Sequence, residues 1–280
     1  MNINNYSVSI LMSTYNGATY IEDQIKSIQN QKFKNWKLFV RDDGSSDETI
    51  SIIRRFEKDD TRITLISDPI SHRGIRGSFL HLLEITDSDY YMFCDQDDVW
   101  LPEKITLSLC KIVEIESQLN EIRPVLVCTD LRVVNQDLSL IHESMWTQNH
   151  IRNLLKDIST ALIIAPLFQG CTMMFNNKAR EKCLNIKPFG NVIHDNHLSL
   201  CVSATNGIIS IIDEPLILYR QHLNNVEGAY RGKNYIFSKL LSLNTVYIKN
   251  KAQFLTSKHY LGISLYSFIY HKLSHLMQYH

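Results

Sequence analysis

Val8-Ser9-Ile10-Leu11-Met12-Ser13-Thr14-Tyr15-Asn16-Gly17 is the stretch that decides the fold. Residues 8–12 form an apolar run of strand length, and residues 13–17 are a turn signal that stops it. Thr19 and Glu22 then make a capping box, which predicts a helix to about Asn30. The unit of strand, polar loop and helix repeats. Residues 36–41 read as a buried strand, Asp42-Asp43-Gly44-Ser45-Ser46 as a turn, and Ser45 with Glu48 as a second capping box for a helix to about Lys58. A third strand at 63–67, a helix over 78–85, a strand at 90–94 and a helix opened by Pro102 follow, since a missing N–H costs little in a first turn. Repeated β/α units of this kind predict an α/β fold with a mostly parallel, Rossmann-like sheet covered by helices on both faces.

Such a sheet binds ligands at the carboxyl ends of its strands. The polar clusters fall there: Ser13 and Tyr15, then Asp42 and Asp43, then Asp95, Asp97 and Asp98. Beyond a strand at 125–130 the rhythm loosens. A long polar connection at 141–153, an apolar run at 172–175, a helix over 196–204 and paired apolar runs at 208–212 and 215–219 predict an added, mixed part of the same sheet.

The chain has 280 residues, 44% hydrophobic and 21% charged, ample for a core and unlike a disordered segment. Lys+Arg and Asp+Glu both number 29, so no overall field argues for nucleic acid as a partner. The charge is uneven, however. Residues 231–280 hold seven Lys/Arg and no acid, which leaves residues 1–230 with 22 basic and 29 acidic groups, a net of −7. We divide the chain accordingly into a domain at 1–230 and a basic, aromatic, helical extension at 231–280. Within the extension Leu261, Leu265, Phe268, Ile269, Leu273 and Leu276 form one helical stripe, interleaved with Tyr260, Tyr266 and Tyr270. That stripe either packs on its own domain or lies on a membrane surface. The six cysteines are scattered singly through apolar runs, the usage of buried thiols in a reducing compartment. No basic leader opens the chain and no apolar run approaches the roughly 18 residues of a spanning helix, so the expectation is a cytoplasmic protein without a transmembrane anchor.

Cys94-Asp95-Gln96-Asp97-Asp98-Val99-Trp100 carries the strongest chemical signal. Three carboxylates crowded at a strand end repel one another unless a hard cation such as Mg²⁺ or Mn²⁺ lies between them, and a metal there can hold a diphosphate. The plainer reading is an acidic turn capping the next helix. Asp42 and Asp43 likewise read as turn formers, or as a carboxylate placed to accept a pyrimidine imide N–H. No G-x-G-x-x-G and no G-x-x-x-x-G-K occurs, which takes most of the support from dinucleotide dehydrogenases and P-loop enzymes.

These three motifs in order resemble the inverting family 2 glycosyltransferases of the GT-A fold. Gln169-Gly170-Cys171-Thr172-Met173, His194-Asp195 and Tyr219-Arg220-Gln221-His222-Leu223-Asn224-Asn225 are similar to the rhamnosyltransferase branch of bacterial O-antigen synthesis. The resemblance covers residue 8 to about 228. It implies that Ser13, Tyr15 and Asp43 hold the pyrimidine nucleoside, with Tyr15 stacked on the base. It implies further that Asp95 lies along the ribose and diphosphate, that Asp97 and His222 bind Mg²⁺ or Mn²⁺, and that Asp195 is the general base. Arg76, Arg220 and His222 join the donor-binding set, because Arg220 and His222 occupy alternate strand positions and so share a face. His194 reads more simply as a capping or packing residue than as a partner of Asp195. Two positions depart from the family pattern: Gly77 replaces a usual asparagine, and Asn196 follows Asp195 where the rhamnosyl branch often has an aromatic residue.

The implied function is inverting transfer of a sugar, L-rhamnose from dTDP-β-L-rhamnose before others, onto a lipid-linked oligosaccharide at the inner face of the cytoplasmic membrane. The same fold with a UDP-hexose donor, galactose or N-acetylglucosamine, is the first alternative. A sugar nucleotidyltransferase is more distant, because a glycine-rich, lysine-bearing loop is missing after residues 8–12. A silent sugar-binding module is least favoured, since Asp97 and Asp195 are both present.

Overall fold

The computed structural model describes residues 3–149, 151–222 and 243–277. Its first half alternates β1 (Val8–Thr14), α1 (Ile21–Gln29), β2 (Trp36–Asp42), α2 (Thr49–Asp59), β3 (Ile63–Leu65), α3 (Gly74–Ile85) and β4 (Tyr90–Cys94). Next come β5 (Val99–Trp100), α4 (Lys104–Ser117), β6 (Val125–Val134), β7 (Leu140–His142), α5 (Met145–Gln148), α6 (Ile158–Ile164) and β8 (Met173–Asn176). The chain continues through α7 (Asn177–Asn185), α8 (His194–Ala204), β9 (Ile208–Arg220), α9 (Leu243–Leu261) and α10 (Leu265–Met277).

The strands form one sheet in the order β3-β2-β1-β4-β8-β6-β9-β5, with β7 added on β6. Strands β1 to β4 pair in parallel, β8 runs antiparallel between β4 and β6, and β9 lies parallel to β6. Two reversals restore the direction, so β9 runs the same way as β4. Its carboxyl end and the amino end of β8 therefore reach the edge at which β1, β2 and β4 finish. That geometry gathers segments far apart in the chain into one crevice.

Burial explains the strand composition. Every residue of β4 is buried, and β6 is buried at all but Arg132 among its ten, as expected of strands covered on both faces. One core lies under α1, α2 and α4, around Ile25, Trp36, Met92 and Leu109. The other lies under α3, α7 and α8, around Phe79, Phe93, Phe175 and Leu198.

Several boundaries differ from the sequence reading. Neither capping box forms: α1 and α2 have no side-chain cap bond at their N-caps. Instead the Asp47 carboxylate accepts from the Ala18 and Thr49 amides, and the Ser45 hydroxyl donates to Asp42. Helix α3 begins at Gly74, four residues earlier than its apolar spacing indicates. The paired runs at 208–212 and 215–219 are one strand, β9, whose register on β6 shifts around Thr129 and Asp130. The polar connection holds β7 and α5, and β5 escaped notice at two residues long.

In the extension, residues 231–242 and 278–280 lie outside the described residues, as do Leu223, Asn224 and Asn225 of the Tyr219 motif. The expected single stripe is broken at Gly262, which takes a φ of +66° between α9 and α10. The stripe splits between a packed and an exposed part. Tyr260 is 8% exposed, its hydroxyl 2.6 Å from His197 Nδ1, and Phe268 packs inward against Phe254. Leu265, Tyr266, Ile269, Tyr270 and Leu273 stay exposed on the other face of α10. No described helix is long and apolar enough to cross a membrane, and all six cysteines are free thiols, five of them buried.

Candidate active site

The crevice starts at the end of β1. The Tyr15 amide donates to Gln96 Oε1 at 2.9 Å and Gln96 Nε2 returns a bond to the Tyr15 carbonyl, tying the ends of β1 and β4 together. Gly17 leaves room for this amide: a Cβ there would meet Gln96 Oε1 at 2.3 Å. The Tyr15 ring is about half exposed and meets His72 edge-on at 6.3 Å. Ser13 stands half-buried beside Arg41 of β2.

Asp42 shapes the next turn, accepting from the Gly44 and Ser45 amides and from the hydroxyls of Thr14 and Ser45. Asp43 points the other way, into the loop before α3. Its Oδ1 takes the Arg41 guanidinium at 2.6 Å and the Arg73 amide at 2.7 Å, and its Oδ2 takes the Gly74 amide at 3.0 Å. Burial alone would raise this carboxyl, but Arg41 and the two amides together hold it below the usual carboxylate range. Asp68 completes the network by binding both Arg41 and Arg73, and Arg73 foremost keeps it well below its ordinary value. Arg76 does not face this network: its Nη1 donates to the Gly190 and Val192 carbonyls, fastening the loop that leads into α8.

At the end of β4 the acidic turn splits into an outer and an inner set. Outside, Asp97 Oδ2 lies 2.7 Å from His222 Nε2, although 125 positions separate them. His222 stacks on Tyr20 at 4.8 Å. Arg220 shares that face, with its guanidinium 4.7 Å from the Tyr20 ring, but it is not presented to a ligand as the sequence suggests. Its side chain is 4% exposed and donates to the Asp97 and Gln136 carbonyls and to Asp23, so it braces the turn. Inside, Asp95, Asp98 and Cys171 bring a ligand atom each within 4.8 Å of one another. Burial first, then repulsion from Asp97 and Asp95, drives the Asp98 carboxyl well above its usual value, and burial does the same to the Cys171 thiol. Both groupings offer candidate ligands for a divalent cation: the Asp95 and Asp98 carboxyls inside, and the Asp97 carboxyl with the His222 imidazole outside.

Asp195 enters from the first turn of α8, 8% exposed. The Asn196 amide donates to its Oδ1 at 2.6 Å and the Gly170 amide to its Oδ2 at 3.1 Å, so a helix N-terminus and the segment before β8 orient one carboxylate. His194 is a packing residue, stacked on Phe79 at 3.9 Å and edge-on to Phe93 at 4.7 Å. Sequence reasoning missed Gln96, His72, Tyr20, Asp23 and Asp68, all of which act on positions distant in the chain. No local spacing marks such residues.

A model of the family described as Glycosyl transferase family 2 matches residues 9–183. Among curated proteins, the dTDP-rhamnosyl transferase RfbG of Shigella flexneri is 28% identical over 78% of this chain and 74% of its own length. The GalNAc(5)-diNAcBac-PP-undecaprenol beta-1,3-glucosyltransferase of Campylobacter jejuni is 34% identical over 38% of this chain and 35% of its own. Among solved structures, S. aureus TarS 1-349 in complex with UDP-GlcNAc superposes with a TM-score of 0.60 at 14% identity, covering 92% of this chain and 73% of that one.

Proposed function

The chain belongs to glycosyl transferase family 2, and on that premise we propose that it moves L-rhamnose from dTDP-β-L-rhamnose, with inversion, onto a hydroxyl of a lipid-linked oligosaccharide in surface polysaccharide synthesis. The observation that carries the site reading is the meeting of His222 with Asp97 at the crevice, where the carboxyl end of β9 arrives. Tyr15 and Asp43 take the nucleoside, with Ser13 at its edge. Asp95 lies along the diphosphate. Asp97 and His222 hold a divalent cation, which when bound offsets the charge that develops on the departing nucleoside diphosphate. Asp195 accepts the proton of the acceptor hydroxyl as that oxygen attacks, and the Gly170 and Asn196 amides keep its carboxylate aimed. Arg76 and Arg220 serve the donor indirectly, by holding the loops that carry these groups.

The rhamnosyl donor is favoured by the RfbG match, which runs through both halves of the chain. A UDP-hexose is the second reading, and the match to a glucosyltransferase, which spans 38% of this chain, favours a hexose. The undecaprenol-linked substrate in that relative's name supports a lipid-linked acceptor here. The extension, with no acid and an exposed apolar face on α10, fits a peripheral position on an anionic membrane.

Calorimetric titration with dTDP-rhamnose, dTDP, UDP-glucose, UDP-galactose and UDP-N-acetylglucosamine, with Mn²⁺ and with chelator, tests the assignment. Metal-dependent preference for the dTDP ligands is expected. Preference for a UDP-sugar would move the donor to the second reading, and binding indifferent to the metal would overturn the roles of Asp97 and His222.

A further inference from the structure

Three side chains close to Asp195 carry buried polar atoms without a hydrogen-bond partner among the described residues. Asn196 is 8% exposed, and its Oδ1 is buried without a hydrogen-bond partner among the described residues. Gln169 Oε1 is in the same condition. So are both ring nitrogens of His194, a residue 5% exposed. All three positions neighbour the groups that hold the Asp195 carboxylate. Gln169 precedes Gly170, whose amide holds Asp195 Oδ2, and the amide of Asn196 itself holds Oδ1. His194 lies over Gly170 so closely that a Cβ there would meet its Nε2 at 2.6 Å.

Buried amide oxygens are rarely left unpaired in a folded chain, because each loses its water without compensation. Groups of this kind beside a proton acceptor are complementary to a ligand rich in hydroxyl or amide donors. On the reading of Asp195 as base, we propose that Asn196 and Gln169 form the acceptor-sugar subsite, their side-chain oxygens each taking a hydrogen bond from a hydroxyl or acetamido N–H next to the reacting oxygen. The acceptor ring is thus fixed by polar contacts. His194 forms the wall of the subsite, its ring pinned by Phe79 and Phe93.

The test uses the full chain and Asn196→Leu and Gln169→Leu, with octyl glycosides of glucose, galactose, N-acetylglucosamine and rhamnose as acceptors. Nucleoside diphosphate release reports transfer, calorimetry reports donor affinity, and thermal unfolding reports the fold. Each variant is expected to keep its donor Kd within about twofold, to raise the KM of whichever glycoside the wild type uses by roughly tenfold, and to unfold at an equal or higher temperature. An unchanged acceptor KM, or a lowered melting temperature at both positions, would overturn the subsite; the melting comparison decides even if none of these glycosides is used. Failure of the wild type to bind any nucleotide sugar is a different result, and would count against the glycosyl-transfer reading itself.

Discussion

His194 stands one residue before the proposed base, and its environment makes it a test of how the crevice is built. Burial foremost, with the nearby His197, pushes its pKa down to about 3, so the ring is neutral in the folded chain. The unfolded chain takes up this proton near pH 6.5, well before the native state does. The stability it confers is therefore complete above about pH 6.5 and falls, by up to about 1.4 kcal/mol per pH unit, as the pH drops toward 3. His194→Phe keeps the stack on Phe79 and removes the titration. Urea midpoints between pH 7 and pH 4 should fall less steeply for this variant than for the wild type, and parallel slopes would show that the ring is hydrated in the native state. At the neighbouring position, Asp195→Asn preserves the shape of the carboxylate but cannot accept the proton. We expect transfer to fall by about two to four orders of magnitude while the donor Kd is retained, and near-normal turnover would remove Asp195 from the role of base.

At the scale of elements, the loop after β2 shows where local sequence rules reach their end. The spacing of Ser45 and Glu48 is that of a capping box, yet Asp42 and Asp47 win the available amides because their carboxylates reach them first from within the same turn. Asp47 also bonds the Ala18 amide, so one side chain braces the entries of both α1 and α2. Removing it with Asp47→Ala should cost about 1–2 kcal/mol, the range of a strong N-cap. Chemical denaturation would measure this, and a loss under a few tenths would mean that water replaces the carboxylate without penalty. The central strands were legible, because a run such as Tyr90–Cys94 is apolar throughout, of strand length and bounded by polar turns. Strand β9 was read as two runs, because the polar Asp213 and Glu214 fall at its register shift and look like a turn when the partner strand is unseen.

Over the whole molecule, the order of strands decides which legible residues become a site. Asp97 and His222 each stood out in the sequence, but their contact depends on two reversals of direction, from β4 to β8 and from β8 to β6, before β9 follows β6 in parallel, and no single segment encodes them. The extension follows the same logic, since the charge count exposes a basic tail while only packing reveals which of its faces is used. Phe268 turns inward, and Leu265, Tyr266, Ile269, Tyr270 and Leu273 remain outside on a chain segment that has cations and no acids. Deleting the extension would also remove Tyr260 from its place against His197 and disturb α8, so it is an ambiguous test of membrane binding. Paired substitutions on the exposed face avoid this. Ile269→Glu with Leu273→Glu should leave the melting temperature and donor affinity unchanged, yet lower cosedimentation with vesicles containing phosphatidylglycerol by about tenfold or more, since apolar burial and attraction to anionic lipid are weakened together. High salt should weaken the wild type's binding in part, removing the electrostatic share and leaving the apolar one. Equal sedimentation of wild type and variant would assign the exposed face to something other than lipid.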